Sequence, residues 1–146
     1  MERTLILLKP DCVEKKLLGK VVARFEEEEF RMIACKMVQL TDAVLDEHYA
    51  HIADKPFYPA VEAFMRETPV IVLVLEGEGI IEKMREMLGV TDCREAAPGT
   101  IRAEWGSKEE GKSKMCNICH ASDSAEAAKK EIERFFRPEE IFSYSL

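Results

Sequence analysis

The sequence has no long apolar run, internal repeat, linker or low-complexity segment among its 146 residues. Spanning a bilayer takes roughly 20 consecutive apolar residues, and because no stretch approaches that length we do not expect membrane insertion. The first residues contain no basic region that leads into an apolar stretch, so we expect no signal peptide and predict a cytoplasmic location. With 47% hydrophobic and 34% charged residues, the chain is instead typical of one globular domain spanning residues 1–146.

Positive charge is the scarcer sign, with 21 Lys and Arg against 28 Asp and Glu and a net charge of -7. An acidic surface repels polyanions, so neither nucleic acid nor an anionic membrane is expected as the main partner. A small anionic substrate is still compatible with this composition, because a few Lys and Arg side chains in one cleft can dominate the local field.

The cysteines are few and odd in number: Cys12, Cys35, Cys93, Cys116 and Cys119. Without a secretory context, reduced thiols are the expected state. Cys116 and Cys119 form a C-x-x-C, but a zinc site would need a second ligand pair at a fitting distance, and none is present. A redox C-x-x-C normally opens a helix, whereas this pair falls in an apolar, strand-like stretch. We therefore assign it neither role.

Apolar spacing predicts alternating strands and helices with one long irregular region over 91–114. The predicted strands cover 4–8, 32–40, 70–75 and 115–119. The predicted helices cover 18–30, 41–52, 57–65, 79–88 and 124–136. Removing the inserted pair of helices leaves βαββαβ, the ferredoxin-like α+β plan, in which helices pack on a four-stranded antiparallel sheet.

His120 is the first candidate for chemistry. It follows the last predicted strand and precedes a helix whose N-cap is predicted at Asp123 or Ser124. Imidazole is a good nucleophile near neutral pH and can carry a phosphoryl group. The alternative is a structural histidine at a turn, which composition by itself favours.

Three cationic side chains near loop ends form a second candidate set: Lys9, Arg85 and Arg102. Phosphoryl transfer needs cations and donors around a spread negative charge, and these residue types supply them. Taken singly, each is equally typical of a solvated surface charge. The Gly-x-x-x-x-Gly-Lys-Ser/Thr motif is absent, which excludes a P-loop kinase.

Seven segments in order along the chain carry a resemblance to a known family. They are Lys9-Pro10-Asp11, Glu47-His48-Tyr49, Pro56-Phe57-Tyr58, Met87-Leu88-Gly89 with Thr91, Pro98-Gly99-Thr100-Ile101-Arg102, Asn117-Ile118-Cys119-His120 and Ala121-Ser122-Asp123-Ser124. In this order they resemble nucleoside diphosphate kinases, over nearly the whole chain. The Asn-x-x-His-Ala-Ser-Asp block is the most specific of them.

The resemblance implies an enzyme that moves the γ-phosphate of a nucleoside triphosphate to a nucleoside diphosphate by a ping-pong mechanism. His120 is then the phosphorylated nucleophile, and Glu131 holds its other ring nitrogen. The alternative for Glu131 is an exposed helix carboxylate. The remaining implied site residues are Lys9 and Asn117 at the sugar hydroxyl and phosphate, Arg85, Thr91 and Arg102 at the phosphates, Tyr49 lining the site, and Phe57 with Val61 at the base.

The family further implies Mg²⁺ held mainly by the nucleotide phosphates, so no protein ligand for the metal is expected. Stacking on Phe57 tolerates every base, which implies broad use of ATP and other nucleoside di- and triphosphates. A homo-hexamer is the preferred assembly and a tetramer the alternative. The rival from another class is a non-catalytic binding module on the same fold, which would need no nucleophile.

The sequence departs from the family pattern at three places. Cys12 and Lys16 stand where glycines are usual, and Asp92-Cys93 replaces Asn-Pro. The stretch between Arg102 and Asn117 is a few residues longer than usual, so the residue on the far side of the base is left unassigned, although Lys114 falls near it. We predict that this insertion is a surface excursion; the alternative is that Lys108, Lys112 or Lys114 reaches the nucleotide.

Overall fold

The computed structural model describes residues 1–108 and 116–145. Four strands and seven helices are found in these ranges. The strands are β1 (Glu2–Leu8), β2 (Arg31–Val38), β3 (Val70–Gly77) and β4 (Cys119–Ala121). The helices are α1 (Pro10–Glu14), α2 (Leu18–Glu26), α3 (Asp42–His48), α4 (Tyr58–Met65), α5 (Ile80–Leu88), α6 (Ile101–Trp105) and α7 (Ala125–Phe135), and a 3-10 helix follows at Pro138–Glu140.

The strands form one sheet in the order β2-β3-β1-β4, and every neighbouring pair is antiparallel. The ferredoxin-like α+β prediction is therefore confirmed, including the helix pair α3 and α4 inserted between β2 and β3. No helix among the described residues is long and apolar enough to cross a membrane.

The interior strand β1 is buried on both faces of the sheet, and its successive side chains, which point to opposite sides, enter two separate cores. Leu5 and Leu7 of β1 belong to a core that α3, α4 and α7 cover. Ile6 and Leu8 belong to a second core that α2 and α5 cover. This two-sided burial explains why β1 reads as a continuous apolar run rather than an alternating one.

Several predicted boundaries were wrong. α2 ends at Glu26 rather than at residue 30, and the next three glutamates form a turn. The region predicted to be irregular contains α6, whose N-cap Thr100 accepts a hydrogen bond from the backbone N–H of Ala103. The short helix α1 was also missed; Pro10 stands at its first position, where a missing N–H costs nothing.

The last strand lies later than predicted, at Cys119–Ala121 rather than at 115–119. Ile118 has a positive φ of 75°, which interrupts extended chain immediately before the strand. His120 is therefore inside β4, opposite Leu7 of β1, instead of beyond the end of the strand. Met115, the predicted first residue of the strand, lies outside the described residues.

A C-terminal tail, residues 141–145, runs beside the edge strand β2. The N–H of Phe142 donates to the carbonyl of Ile33 over 2.9 Å, and the hydroxyl of Tyr144 donates to the carbonyl of Met32. Lys36 on the same strand pairs with Glu140 at 3.0 Å, immediately before the tail. The tail thus occupies backbone acceptors at one end of a strand edge that no other described strand pairs with.

Candidate active site

A cleft of about 800 Å³ opens where β4, α3, α5 and the segment after α5 meet. Eight of the ten predicted site residues line it. They are Lys9, Tyr49, Arg85, Thr91, Arg102, Asn117, His120 and Glu131. Residues far apart in the sequence therefore converge on one place, as the resemblance implied.

β4 places the His120 side chain on the face of the sheet that α7 covers. Directly paired residues of a sheet share a face, and His120 is paired with Leu7, whose side chain packs in the core beneath α7. Glu131, on the second turn of α7, reaches this imidazole with a distance of 3.1 Å between its Oε1 and Nε2 of His120. Glu131 is 13% exposed, so it is not the solvated helix carboxylate of the alternative.

A serine holds the same carboxylate in place. The hydroxyl of Ser122, a fully buried residue, donates to Oε1 of Glu131 over 2.7 Å and accepts from the N–H of Leu5 over 3.0 Å. Burial raises the pKa of the Glu131 carboxyl. The hydrogen bond and charge of His120 and the hydrogen bond of Ser122 together outweigh this effect, so the pKa lies below its usual value. The carboxylate is therefore ionised at neutral pH, and Nε2 of His120 carries the proton between them.

The segment that leads into β4 is fixed by the Lys-Pro-Asp motif. The carboxylate of Asp11 accepts from the N–H of Ile118 over 2.9 Å, and the N–H of Lys9 donates to the carbonyl of Ile118 over the same distance. Ile118 is the residue with the unfavourable positive φ. Asp11 therefore stabilises a strained turn two residues before His120 and does not line the cleft.

Lys9 and Asn117 form the floor of the cleft. Nζ of Lys9 donates to Oδ1 of Asn117 over 2.7 Å, and the amide of Asn117 donates to the carbonyl of Thr91 over 3.3 Å. Burial, followed by the charge of Arg102, lowers the pKa of Lys9 to about 8. The charged form of Lys9 is thus less favoured in the cleft than in water. An anion placed beside the ammonium would favour the charged form.

Arg102 joins three backbone segments at the side of the cleft. Its guanidinium donates to the carbonyls of Gly89, Asn117 and Cys119 over 3.0, 3.2 and 2.7 Å. Burial and then the charge of Arg85 lower the pKa of Arg102. Since a guanidinium carries more donors than these three bonds use, part of its capacity remains for an anion.

Arg85 stands at the mouth of the cleft and pairs with Asp123 at 2.5 Å. Both side chains are largely exposed, at 55% and 80%, so this ion pair is weak and easily exchanged. An incoming phosphate can therefore take the place of the Asp123 carboxylate on Arg85.

Gly89 allows the segment after α5 to approach α6 closely. It ends α5 with a positive φ of 86°, and a Cβ at this position would lie 2.7 Å from the hydroxyl oxygen of Thr100. A side chain there would push apart the segments that carry Thr91 and Arg102.

Tyr49, His48 and His120 form a row of packed aromatic rings with His48 in the middle. The rings of His48 and His120 meet edge to face with centroids 4.9 Å apart, and those of His48 and Tyr49 do the same at 4.9 Å. Burial, and secondarily the Glu131 charge, raise the pKa of Tyr49 to about 12, so its hydroxyl stays protonated.

The two residues predicted at the base, Phe57 and Val61, do not line this cleft. Phe57 is the N-cap of α4 and is 52% exposed, while Val61 one turn later packs partly against the core. Of the inserted stretch, Lys108 is described and exposed. Lys112 and Lys114 lie outside the described residues.

Sequence reasoning gave no role to three residues that support the site: His48, Asp11 and Ser122. Each belongs to a block that carried the resemblance, but none has a pattern of its own. Ser122 follows β4 directly, two residues after His120, and both side chains contact Glu131. That spacing is a usable signal, because residues two apart in extended chain point to the same side. His48 and Asp11 act over long sequence distances and give no such signal.

The cysteines form no disulfide, and all five lie in the described ranges. Cys12 and Cys119 are fully buried, and burial is the main reason that the thiol pKa rises to about 12 in both. Such thiols are poor nucleophiles and metal ligands at neutral pH.

The sheet is ferredoxin-like, and it holds a carboxylate-bound imidazole among Lys and Arg side chains. This combination places the protein in the class of α+β enzymes that handle phosphorylated substrates. Comparisons with known proteins agree. A family model described as nucleoside diphosphate kinase matches residues 2–141. A nucleoside diphosphate kinase from Rhodopirellula baltica is 44% identical over all of this chain and 93% of its own length.

Solved structures give the same result. The halophilic nucleoside diphosphate kinase of Halobacterium salinarum, in complex with CDP, aligns with a TM-score of 0.89 and 34% identity, covering 99% of this chain and 93% of that one. The enzyme from Borrelia burgdorferi, a transition state mimic with bound vanadate and ADP, aligns with a TM-score of 0.91 and 32% identity, covering 99% and 92%. The chain belongs to the nucleoside diphosphate kinase family.

Proposed function

We propose that this nucleoside diphosphate kinase works through a phosphohistidine on Nδ1 of His120. The observation that carries the proposal is the 3.1 Å contact between Glu131 and Nε2 of that ring. Because Nε2 carries the proton in this contact, the lone pair is on Nδ1, which makes Nδ1 the nucleophile.

The first half-reaction then needs no proton transfer. Nδ1 attacks the γ-phosphorus of a nucleoside triphosphate, the N–P bond forms, the bond to the β-phosphate oxygen breaks, and the diphosphate leaves. The product ring is a phosphorylated imidazolium that keeps its proton on Nε2. The ionised Glu131 stabilises this new positive charge, and the second half-reaction is the reverse with a different diphosphate.

The cations of the cleft would stabilise the transferring group. Lys9 and Arg102 are partly buried and have lowered pKa values, so an anion between them would strengthen both interactions. Arg85 would exchange Asp123 for a phosphate oxygen. Thr91 and Asn117 would add neutral donors, with Asn117 and Lys9 also meeting the sugar hydroxyl.

Base recognition would rest on contact area. Phe57 is exposed, and Val61 lies one turn further along α4, so together they present an apolar surface without a hydrogen-bond code. Relatives bound to CDP and to ADP hold a pyrimidine and a purine nucleotide. We infer a broad range of ribo- and deoxynucleotide substrates for this chain.

Mg²⁺ would be held by the nucleotide phosphates and water. Among the described residues, one cluster has ligand spacing, formed by His48, His120 and Glu131, and its nitrogen donors do not suit this oxygen-seeking ion. The ion would neutralise charge on the phosphates. We further infer that the chain acts as a single cytoplasmic domain over residues 1–146 and assembles as a homo-hexamer, with a tetramer as the alternative.

The experiment is incubation of the purified protein with ATP labelled on the γ-phosphate, without an acceptor nucleotide. We expect stoichiometric label on His120 that is labile in acid and stable in base, because phosphohistidine is a phosphoramidate. His120→Ala should take no label, while His51→Ala, which removes an exposed histidine of the cleft rim, should label normally.

Two results would contradict the mechanism. Acid-stable label would indicate a serine ester, with Ser122 or Ser124 as the acceptor. Nucleotide binding without any label would favour the rival hypothesis, a non-catalytic binding module, since such a module needs no nucleophile.

A further inference from the structure

The structure contains a second imidazole beside the nucleophile that the reaction does not use. His48, the last residue of α3, is buried with its ring edge to face against His120. A ring nitrogen of His48 lies within 4.8 Å of both the Glu131 carboxylate and a ring nitrogen of His120. Two imidazoles therefore share the neighbourhood of one carboxylate.

Helix α7 contacts both rings, because residues three apart lie on the same side of a helix. Glu131 reaches Nε2 of His120. Arg134, one turn later, places a guanidinium nitrogen 2.9 Å from Nδ1 of His48. An arginine can only donate, so Nδ1 of His48 must accept and the ring proton is on Nε2.

Arg134 is itself held in place. Its side chain is 14% exposed, and its Nε lies 3.2 Å from the carboxylate of Glu47, the residue before His48. The ring of Phe135 packs edge to face on His48 from the same helix, with centroids 5.6 Å apart. The guanidinium therefore lies largely out of solvent between Glu47 and His48, and Phe135 packs on the ring that it contacts.

We propose that Arg134 is a positioning residue for the phosphohistidine centre, which fixes His48 in the neutral Nε2–H form and so reserves Glu131 for His120. A protonated His48 would be a second imidazolium within reach of the same carboxylate. It would compete for Glu131, and His120 would lose the contact that sets its proton on Nε2. The proposal rests on His120 acting as the nucleophile, as proposed above.

The charges around His48 support this reading. The groups that face it are His120 from β4, Glu131 and Arg134 from α7, and Lys9 from the end of β1, with Glu47 and Tyr49 as its neighbours in the chain. Burial lowers the pKa of His48 most, followed by His120, with Arg134 and Lys9 adding to the decrease and only Glu131 opposing it; the result is about 3. A carboxylate in place of Arg134 would reverse one of these contributions and would accept a hydrogen bond from a protonated Nδ1, which favours the charged ring.

The test compares Arg134→Glu with Arg137→Glu, the same charge reversal at an arginine that is 74% exposed and outside the cleft. The rate of His120 phosphorylation by ATP in a single turnover is measured as a function of pH. Between about pH 8 and pH 5.5, we expect Arg134→Glu to lose on the order of tenfold more activity than either the wild type or Arg137→Glu. Arg134→Lys, which keeps a donor cation, should restore most of the wild-type profile.

His48 can be shown to be the titrating group with the double variant His48→Gln/Arg134→Glu. Glutamine does not titrate in this range, so the additional acid-side loss should disappear in the double variant. A profile of Arg134→Glu that superimposes on that of Arg137→Glu, or an equal loss at every pH, would overturn the proposal.

The ring nitrogens of wild-type His48, observed by ¹⁵N NMR, provide a measurement that does not depend on a variant folding. We expect a proton on Nε2, none on Nδ1, and no titration down to about pH 5. Protonation of Nδ1, or titration within that range, would overturn the proposal. Failure of the proposed function would differ from both outcomes, since the wild type itself would then take no label.

Discussion

At the scale of single residues, Glu131 does its work through the ring it holds. In the proposed mechanism, its contact to Nε2 of His120 would matter most when that ring becomes a cation, in the transition state and the phosphoenzyme. Glu131→Gln keeps the shape and a hydrogen-bond acceptor but removes the charge. We expect it to slow phosphoenzyme formation by roughly ten- to a hundredfold.

Rapid-mixing measurement of phosphoenzyme formation against ATP concentration separates the rate from the affinity. We expect the Kd of ATP to change little in Glu131→Gln, because the carboxylate does not contact bound nucleotide in the proposed mechanism. Weaker binding with an unchanged maximal rate would mean that the carboxylate acts on nucleotide affinity and not on the ring.

Lys9 gives the site a dependence on alkaline pH. Its pKa is lowered to about 8, so it is charged below that pH and becomes neutral as the pH rises above it. In the proposed site, Lys9 binds the phosphate in its charged form. We therefore expect kcat/KM, which reports the free enzyme, to fall on the alkaline side from near pH 8.

The alkaline decrease of kcat should begin at a higher pH than that of kcat/KM. Bound phosphate favours the charged ammonium of Lys9 and so raises its pKa again. Lys9→Arg serves as the comparison, since a guanidinium stays charged throughout the range. If kcat/KM of the wild type stayed constant to pH 10, Lys9 would not be the group that meets the phosphate.

At the scale of elements, the approach to β4 depends on one buried carboxylate. Asp11 accepts from the N–H of Ile118, whose positive φ is unfavourable for a β-branched residue. Asp11→Ala would leave that buried N–H without its partner, at a cost of about 1–3 kcal/mol. We expect a lower free energy of unfolding. We also expect slower labelling of His120, because the turn at Ile118 that positions β4 would be held less firmly.

Urea unfolding and the labelling rate measure the two effects of Asp11→Ala. Asp92→Ala provides the control, because it removes a carboxylate that pairs with its neighbour Arg94 at the surface. Equal effects of the two substitutions would show that the Asp11 contact has no special importance for β4.

The elements also show what the sequence can and cannot predict. Long periodic segments such as α5 and α7, and the apolar strand β3, were predicted to within about two residues, because each buries one continuous face. α1 and α6 are five residues each and too short for a period. α1 depends on Pro10 at its first position, and α6 depends on the Thr100 side chain at its N-cap. These local signals have no hydrophobic period.

The candidate site was predictable for a different reason. Its residues were identified from ordered motifs, and eight of them converge on one cleft. Contacts such as Arg134 with His48, 86 positions apart, depend on how α7 lies across the sheet. No local pattern encodes such a contact, so the structure is needed to find it.

At the scale of the whole molecule, the cleft bears on the order in which the two nucleotides bind. It encloses about 800 Å³ around His120, and in the proposed mechanism the donor and acceptor nucleotides both bring a phosphate to this ring. We therefore expect them to bind in turn. Labelled ADP should exchange into ATP without any second diphosphate, and double-reciprocal plots should be parallel. Intersecting lines would indicate that both nucleotides bind together.

The C-terminal tail determines how the open side of the sheet can meet another chain. Phe142 and Tyr144 already bond the carbonyls of Ile33 and Met32 at one end of β2. A strand that adds there cannot simply dock; it has to displace the tail first. A pairing strand from another chain therefore competes with the tail, which is tethered and so present at high local concentration. This competition slows accidental fibre growth. Any specific pairing at that end of β2 is conditional on release of the tail.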